Sequence, residues 1–135
     1  MGYWGIKSYE NDDAADALDA GFERVHGDRY EELMDDRCPL SYEQVQQQLA
    51  STETLAAAVE ALIDRVDTPV EDWDEIDRLA FAGIVVRHAE LGVPVPDEHR
   101  ARAVAWMEQE AIDWGDATIR KLRRDKEIRL LGGTG

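Results

Sequence analysis

Three histidines and one cysteine are the residues of this chain best suited to act as base, nucleophile or metal ligand near neutral pH. Glu23-x-x-His26 matches half of a di-iron carboxylate signature, but such a site needs two of these motifs plus two more inward glutamates, and neither His88 nor His99 has a glutamate three residues before it. His26 therefore reads as a cation at a helix C-terminus, where the dipole favours its protonated form. His99 falls in the first turn of the last expected helix and should be exposed. Cys38 stands alone before Pro39, so no intramolecular disulfide can form. It reads as a small buried residue; paired with a histidine it would be a nucleophile.

His88 is the strongest chemical candidate. It lies four residues after Ile84 and three before Leu91, on an apolar stripe, so its ring should be partly buried and needs a hydrogen-bond partner. Two readings follow. In the first it is a core histidine held by a carboxylate or a carbonyl. In the second it is a general base in a cleft, working with neighbouring carboxylates in a hydrolase or metal-dependent enzyme. No H-E-x-x-H, P-loop, G-x-S-x-G or paired C-x-x-C accompanies it, and Asn11-Asp12-Asp13 lacks the D-x-D-x-D-G spacing of a calcium loop. No cofactor or metal is therefore expected, and binding or regulation is favoured over catalysis.

Charge says more than any motif. The 135 residues carry 30 acids and 15 bases, net -15. Residues 1–77 hold twenty-one of the acids and five of the bases; the remainder is close to balanced. Such a surface repels phosphate backbones, so nucleic acid is disfavoured. The expected partner is a basic protein, met by an acidic face made of Glu31, Glu32, Asp35 and Asp36 together with Glu71, Asp72, Asp74 and Glu75. Only Lys7, Lys121 and Lys126 are lysine. Adaptation to high salt is a competing explanation of that composition. No apolar run approaches the ~20 residues of a membrane span, and the charged N-terminal region lacks a signal peptide's apolar stretch, so a soluble cytoplasmic protein is expected.

The elements that would position these groups are all helical. Apolar residues recur at steps of three and four and nowhere alternate, which predicts a compact all-α bundle of about five or six helices in one domain over residues 1–131, with 132–135 as a flexible tail. A helix capped by Asn11 or Asp12 runs to His26 and stops at Gly27. A short acidic helix from Asp28 to about Arg37 is ended by Cys38-Pro39. Ser41 with Gln44 forms a capping box, and Ser51-Thr52 re-caps the chain into a further helix or kinks a single one. After Thr68-Pro69, a helix containing Trp73, Leu79, Ile84 and His88 ends at Gly92 before Val93-Pro94-Val95-Pro96. Asp97 should cap the last helix, which spans 97–131 unless it breaks at Gly115.

Residues 1–10 read as an irregular arm in which Gly2 and Gly5 let Trp4 turn inward. Gly2, Trp4, Gly5, Tyr9, Asn11, Asp12 and Asp16 fit the opening M-G-x-W-G-x-G-x-[FY]-x-N-D-x-A-x-D-[WF]; Lys7 and Ala17 depart from it. On those residues the chain resembles a family of small prokaryotic domains of unknown function, which implies a structural signature and no particular activity.

The last helix ends in a basic segment, Arg120, Lys121, Arg123 and Arg124, interleaved with Ile119, Leu122 and Ile128. At ~1.5 Å per residue a helix over 97–131 would outgrow a domain of this size. The segment is therefore expected to dock on an acidic surface, of its own domain or of a second copy, with a homodimer through this helix favoured.

Overall fold

The computed structural model describes residues 8–9, 11–35, 37, 39–110 and 117–132. The expectations for Gly2, Trp4, Gly5, Asp36, Cys38, Gly115 and most of the tail lie outside the described residues, as do the side chains of Asp12, Tyr42 and Ala117.

The chain is an all-α bundle. Among the described residues it forms α1 (Asp12–His26), α2 (Asp28–Met34), α3 (Tyr42–Leu49), α4 (Thr52–Val66), a 3-10 turn (Val70–Asp72), α5 (Glu75–Glu90), α6 (Asp97–Glu108) and α7 (Ala117–Leu130). Side chains set the boundaries. Asn11 caps α1, its Oδ1 accepting from the Ala14 amide at 2.9 Å while its Nδ2 donates to the Ser8 carbonyl at 2.7 Å. Ser41 and Gln44 form a reciprocal capping box. Ser51 and Thr54 form a second, so α3 and α4 are two helices. Such caps satisfy amides that would otherwise lack partners.

Helix α5 is the centre of the bundle. Leu79 to Val86 are all buried, a helix apolar all round, because α1, α4, α6 and α7 surround it. Two glycines set the closest approaches. A Cβ on Gly21 would lie 2.7 Å from Ala58, so α1 and α4 cross almost backbone to backbone. A Cβ on Gly83 would lie 2.5 Å from the Ser8 carbonyl oxygen and 2.7 Å from the Tyr9 Cα. The N-terminal segment thus crosses α5 at the one position where a side chain is missing, despite the ~1 kcal/mol that glycine costs inside a helix.

Several expectations are corrected. The 97–131 segment is not one helix: α6 ends at Glu108 and α7 begins at Ala117. Leu122 and Ile119 are accordingly outside the core, 66 % and 51 % exposed. Asp97 is the first residue of α6 rather than its cap, Pro96 holding that position, and its carboxylate pairs with Arg100 instead. Helix α2 stops at Met34, because Asp35 turns to an extended conformation. His99 is half-buried, edge-on to Phe81 at 5.6 Å between ring centroids.

Candidate functional site

His88 is fully buried and stacks on Phe22, with ring centroids 6.0 Å apart. Its Nδ1 is 2.9 Å from the Ile84 carbonyl, which can only accept, so Nδ1 carries the proton. Nε2 is then the acceptor, 2.9 Å from the Thr54 hydroxyl, whose proton is shared with the Ser51 carbonyl at 2.8 Å. Burial, aided by the nearby Arg87 charge and only partly offset by the Ile84 carbonyl, pulls the imidazole pKa below its ordinary value and keeps it neutral. Among the described residues no carboxylate bonds to the ring. The geometry is that of a strut joining α4 to α5, with both ring nitrogens occupied. His26 is also tied structurally, its Nε2 donating to the Leu49 carbonyl at 2.8 Å. Among the described residues no group of three or more His, Cys, Asp or Glu side chains is arranged to hold a metal ion.

The basic segment of α7 docks within its own chain. Arg120, 1 % exposed, donates from Nε and Nη2 to both oxygens of Glu110 at 3.1 and 2.8 Å, and from Nη1 to Glu127 at 2.8 Å. Arg123 bridges Glu127 and Glu90 at 3.2 and 2.7 Å. Glu127 is fully buried, and its second oxygen also accepts the Ser8 amide at 3.0 Å and the Ser8 hydroxyl at 2.9 Å. Burial alone would weaken the Arg120 guanidinium's hold on its proton, but Glu110 and Glu127 more than offset this and raise its pKa. Burial likewise opposes ionisation of Glu90, and the bonds from Arg123 and Tyr9 reverse the effect, leaving its pKa lowered. Burial, then the Glu90 carboxylate that it bonds, push the Tyr9 hydroxyl well above its usual pKa, so it stays a donor. Arg124 donates to the Met107 and Glu110 carbonyls at 3.3 and 3.1 Å, and Lys121 is exposed. Only the i,i+4 pair of Arg123 with Glu127 is a local signal of the network; Glu127 meets Ser8 across 119 residues.

The acids expected to form one face sit on separate elements. Glu31 and Glu32 are exposed on α2, and the exposed Asp35 just beyond it is engaged by Arg37, whose Nε and Nη2 donate at 3.0 and 3.1 Å and hold its carboxyl below the usual range. Glu71 and Asp72 are exposed on the 3-10 turn, with Asp74 and Glu75 exposed at the start of α5, where Asp74 caps the helix through the Asp77 amide. Of the N-terminal signature, Asn11 is a buried cap and Tyr9 is half-buried under the Arg87 guanidinium, 5.3 Å from its ring centre. Asp16 is exposed and pairs with Arg65 at 3.0 Å.

Sequence reasoning missed a cleft. Between the start of α5 and the end of α6 lies a cavity of about 250 Å³ whose walls include Trp73, Asp74, Glu75, Arg78, Trp106 and Met107. The Trp73 indole donates to the Thr68 carbonyl at 2.9 Å, which fixes it 5.8 Å from Trp106 at a tilt of 42°. Arg78 lies over Trp106, 5.8 Å from its ring centre, and its buried Nε has no hydrogen-bond partner. Arg102 lies over the same indole at 5.5 Å. The one sequence signal was the tryptophan inside the acidic run 71–75. With these arrangements in place, comparison with protein-family models, curated proteins and solved structures finds no match to this chain.

Proposed function

We propose that this protein is a non-catalytic binding domain that presents exposed carboxylates to a basic protein partner. The observation that carries this reading is how the charge is partitioned. Arg120 and Arg123 of α7 are turned inward onto Glu90, Glu110 and Glu127, so these two do not neutralise the outside. Glu31, Glu32, Glu71, Asp72, Asp74 and Glu75 all face solvent. Fields of that sign steer cations and repel nucleic acid. His88, sealed between a carbonyl and a hydroxyl, adds nothing to favour catalysis.

Among the described residues no helix is long and apolar enough to cross a membrane. A cytoplasmic setting and membership of the prokaryotic unknown-function family belong to the same proposal, the second resting on the N-terminal signature. A homodimer would use the outward face of α7, where Ile119, Leu122 and Leu130 are exposed beside Lys121 and Lys126. Affinity capture with the full chain and with a Glu31→Gln, Glu32→Gln, Glu71→Gln, Asp72→Asn variant tests the main reading. A basic protein retained by the wild type at low salt and lost with the variant supports it; identical captures from the two chains refute it and leave salt adaptation as the reason for the acidity.

A further inference from the structure

Arg78 and Arg102 stand apart from the other half-buried or buried arginines. Arg87, Arg100, Arg120, Arg123 and Arg124 each donate to a carboxylate, amide or carbonyl oxygen. Among the described residues Arg78 and Arg102 have indole faces beside them and no hydrogen-bonded oxygen. In a chain with twice as many acids as bases, a half-buried guanidinium in a cleft wall without a hydrogen-bonded acceptor is placed to meet the anionic group of a ligand.

The wall around Arg78 narrows the missing group. Asp74 and Arg78 are four residues apart, so they share a face at the start of α5 and line the same cavity, yet they form no ion pair with each other. Glu75 adds a second carboxylate to that wall. A phosphate would meet Arg78 favourably and the two acids unfavourably. A simple cation would meet the reverse. A dipolar head satisfies both, its carboxylate on the guanidinium and its ammonium on Asp74. Gln109 and Glu110 also line the cavity, Glu110 being held by Arg120, and the remaining wall is indole, thioether and aliphatic: Trp73, Trp106, Met107 and Leu79. Its volume of about 250 Å³ is on the scale of one large amino acid.

We propose that this cleft binds a free α-amino acid with a large apolar side chain. The Arg78 guanidinium takes the carboxylate, Asp74 takes the ammonium, and the side chain lies between the tilted indoles of Trp73 and Trp106 against Met107. This site shares Asp74 and Glu75 with the acidic protein-binding surface, but Glu31, Glu32, Glu71 and Asp72 are not part of its wall, so a variant at those four separates the two readings.

Titration calorimetry of the full chain with phenylalanine, N-acetylphenylalanine, phenylalanine amide and glycine tests it. Phenylalanine should bind one per chain and shift the tryptophan emission. Blocking either charge, or removing the ring, should weaken binding about tenfold or more. Arg78→Gln should weaken phenylalanine to the same degree while the melting temperature stays near wild type; the ligand series carries the test without any substitution should that variant fold poorly. The Glu31, Glu32, Glu71, Asp72 variant should bind phenylalanine like the wild type, so failure of the protein-binding reading leaves this one standing, and the reverse. Absence of binding by phenylalanine, tryptophan and leucine at about 5 mM overturns the proposal. Equal binding of the acetylated and amidated forms overturns it too, as does a folded Arg78→Gln variant with unchanged affinity.

Discussion

Replacing Gly83 by alanine tests whether the N-terminal segment is seated on α5. In an ordinary helix interior that change stabilises by about 1 kcal/mol, because alanine loses less backbone entropy on folding. Here the new methyl would sit 2.5 Å from the Ser8 carbonyl oxygen and 2.7 Å from the Ser8 carbonyl carbon and Tyr9 Cα. These are backbone atoms and cannot swing aside. The segment must lift, which costs about 1–3 kcal/mol of strain in a packed interior. Lifting also loosens the two Ser8 bonds to the buried Glu127 carboxylate, of a kind worth roughly 1.5–3 kcal/mol each. With partial loss of those bonds, the net effect is a destabilisation of about 3 kcal/mol. For 135 residues the unfolding entropy is about 280 cal/mol/K, so the melting temperature should fall by about 10 °C. Calorimetry gives the number, and amide exchange at Ser8 locates the damage. Gly92→Ala is the control: its φ of +81° and empty surroundings predict only the ~1–2 kcal/mol cost of a left-handed alanine. A Gly83→Ala protein that melts higher than wild type would refute the crossing.

Glu127→Ala should cost about 3–5 kcal/mol, seen as a lower urea midpoint, because it strands Arg120 in the interior with one of its carboxylates gone. Asp77→Asn should do the opposite at pH 7. Burial, then the neighbouring Asp74, raise the Asp77 carboxyl above its unfolded value near 3.8, so the native state binds that proton more tightly. Its contribution is full below pH 3.8 and lost as pH rises through the native-state value. The asparagine variant should therefore be more stable at neutral pH by less than about 1 kcal/mol, given the site's exposure, with the difference vanishing near pH 3 in melting curves. Raising sodium chloride from 0.1 to 1 M shortens the screening length from about 10 to about 3 Å, so the melting temperature of this net -15 protein should rise. A flat response would rule out strong surface repulsion.

The parts of the fold legible in sequence are those in which partner residues lie within one turn of each other. Ser41 with Gln44, Ser51 as a second cap, Asn11 as the alternative to Asp12, and the stop at Gly92 are all local chemistry, and each is where periodicity and capping rules put it. Asp97 failed for a local reason too: Pro96 already supplies the extended residue before the helix, leaving the aspartate inside it. What stayed hidden was long-range. Gly83 read as one more member of an apolar stripe, because the backbone that requires it is seventy-five residues away in Ser8. Arg120 bonds Glu110 and Glu127, ten and seven residues away, spacings at which no local pairing rule applies. The docking of α7 was legible as basic charge on an acidic chain, but Glu127, its central acceptor, reads in sequence only as the i,i+4 partner of Arg123. The cleft was illegible for the same reason, since Trp73 and Trp106 meet only after α6 folds back on α5.

The bond between Ser8 and Glu127 has a consequence for synthesis. Ser8 leaves the ribosome early, and its acceptor is made 119 residues later, roughly six to twenty-four seconds at usual elongation rates. Through that interval α1 to α5 can assemble, but the segment lying over Gly83 has the Tyr9 bond to Glu90 and lacks the two Ser8 bonds to Glu127. A nascent chain that stalls before α7 would carry Ser8 without its acceptor and an uncovered side of α5, which is what chaperones and proteases recognise. Translation through Glu127 is thus the step at which the two halves of the polypeptide are fastened together.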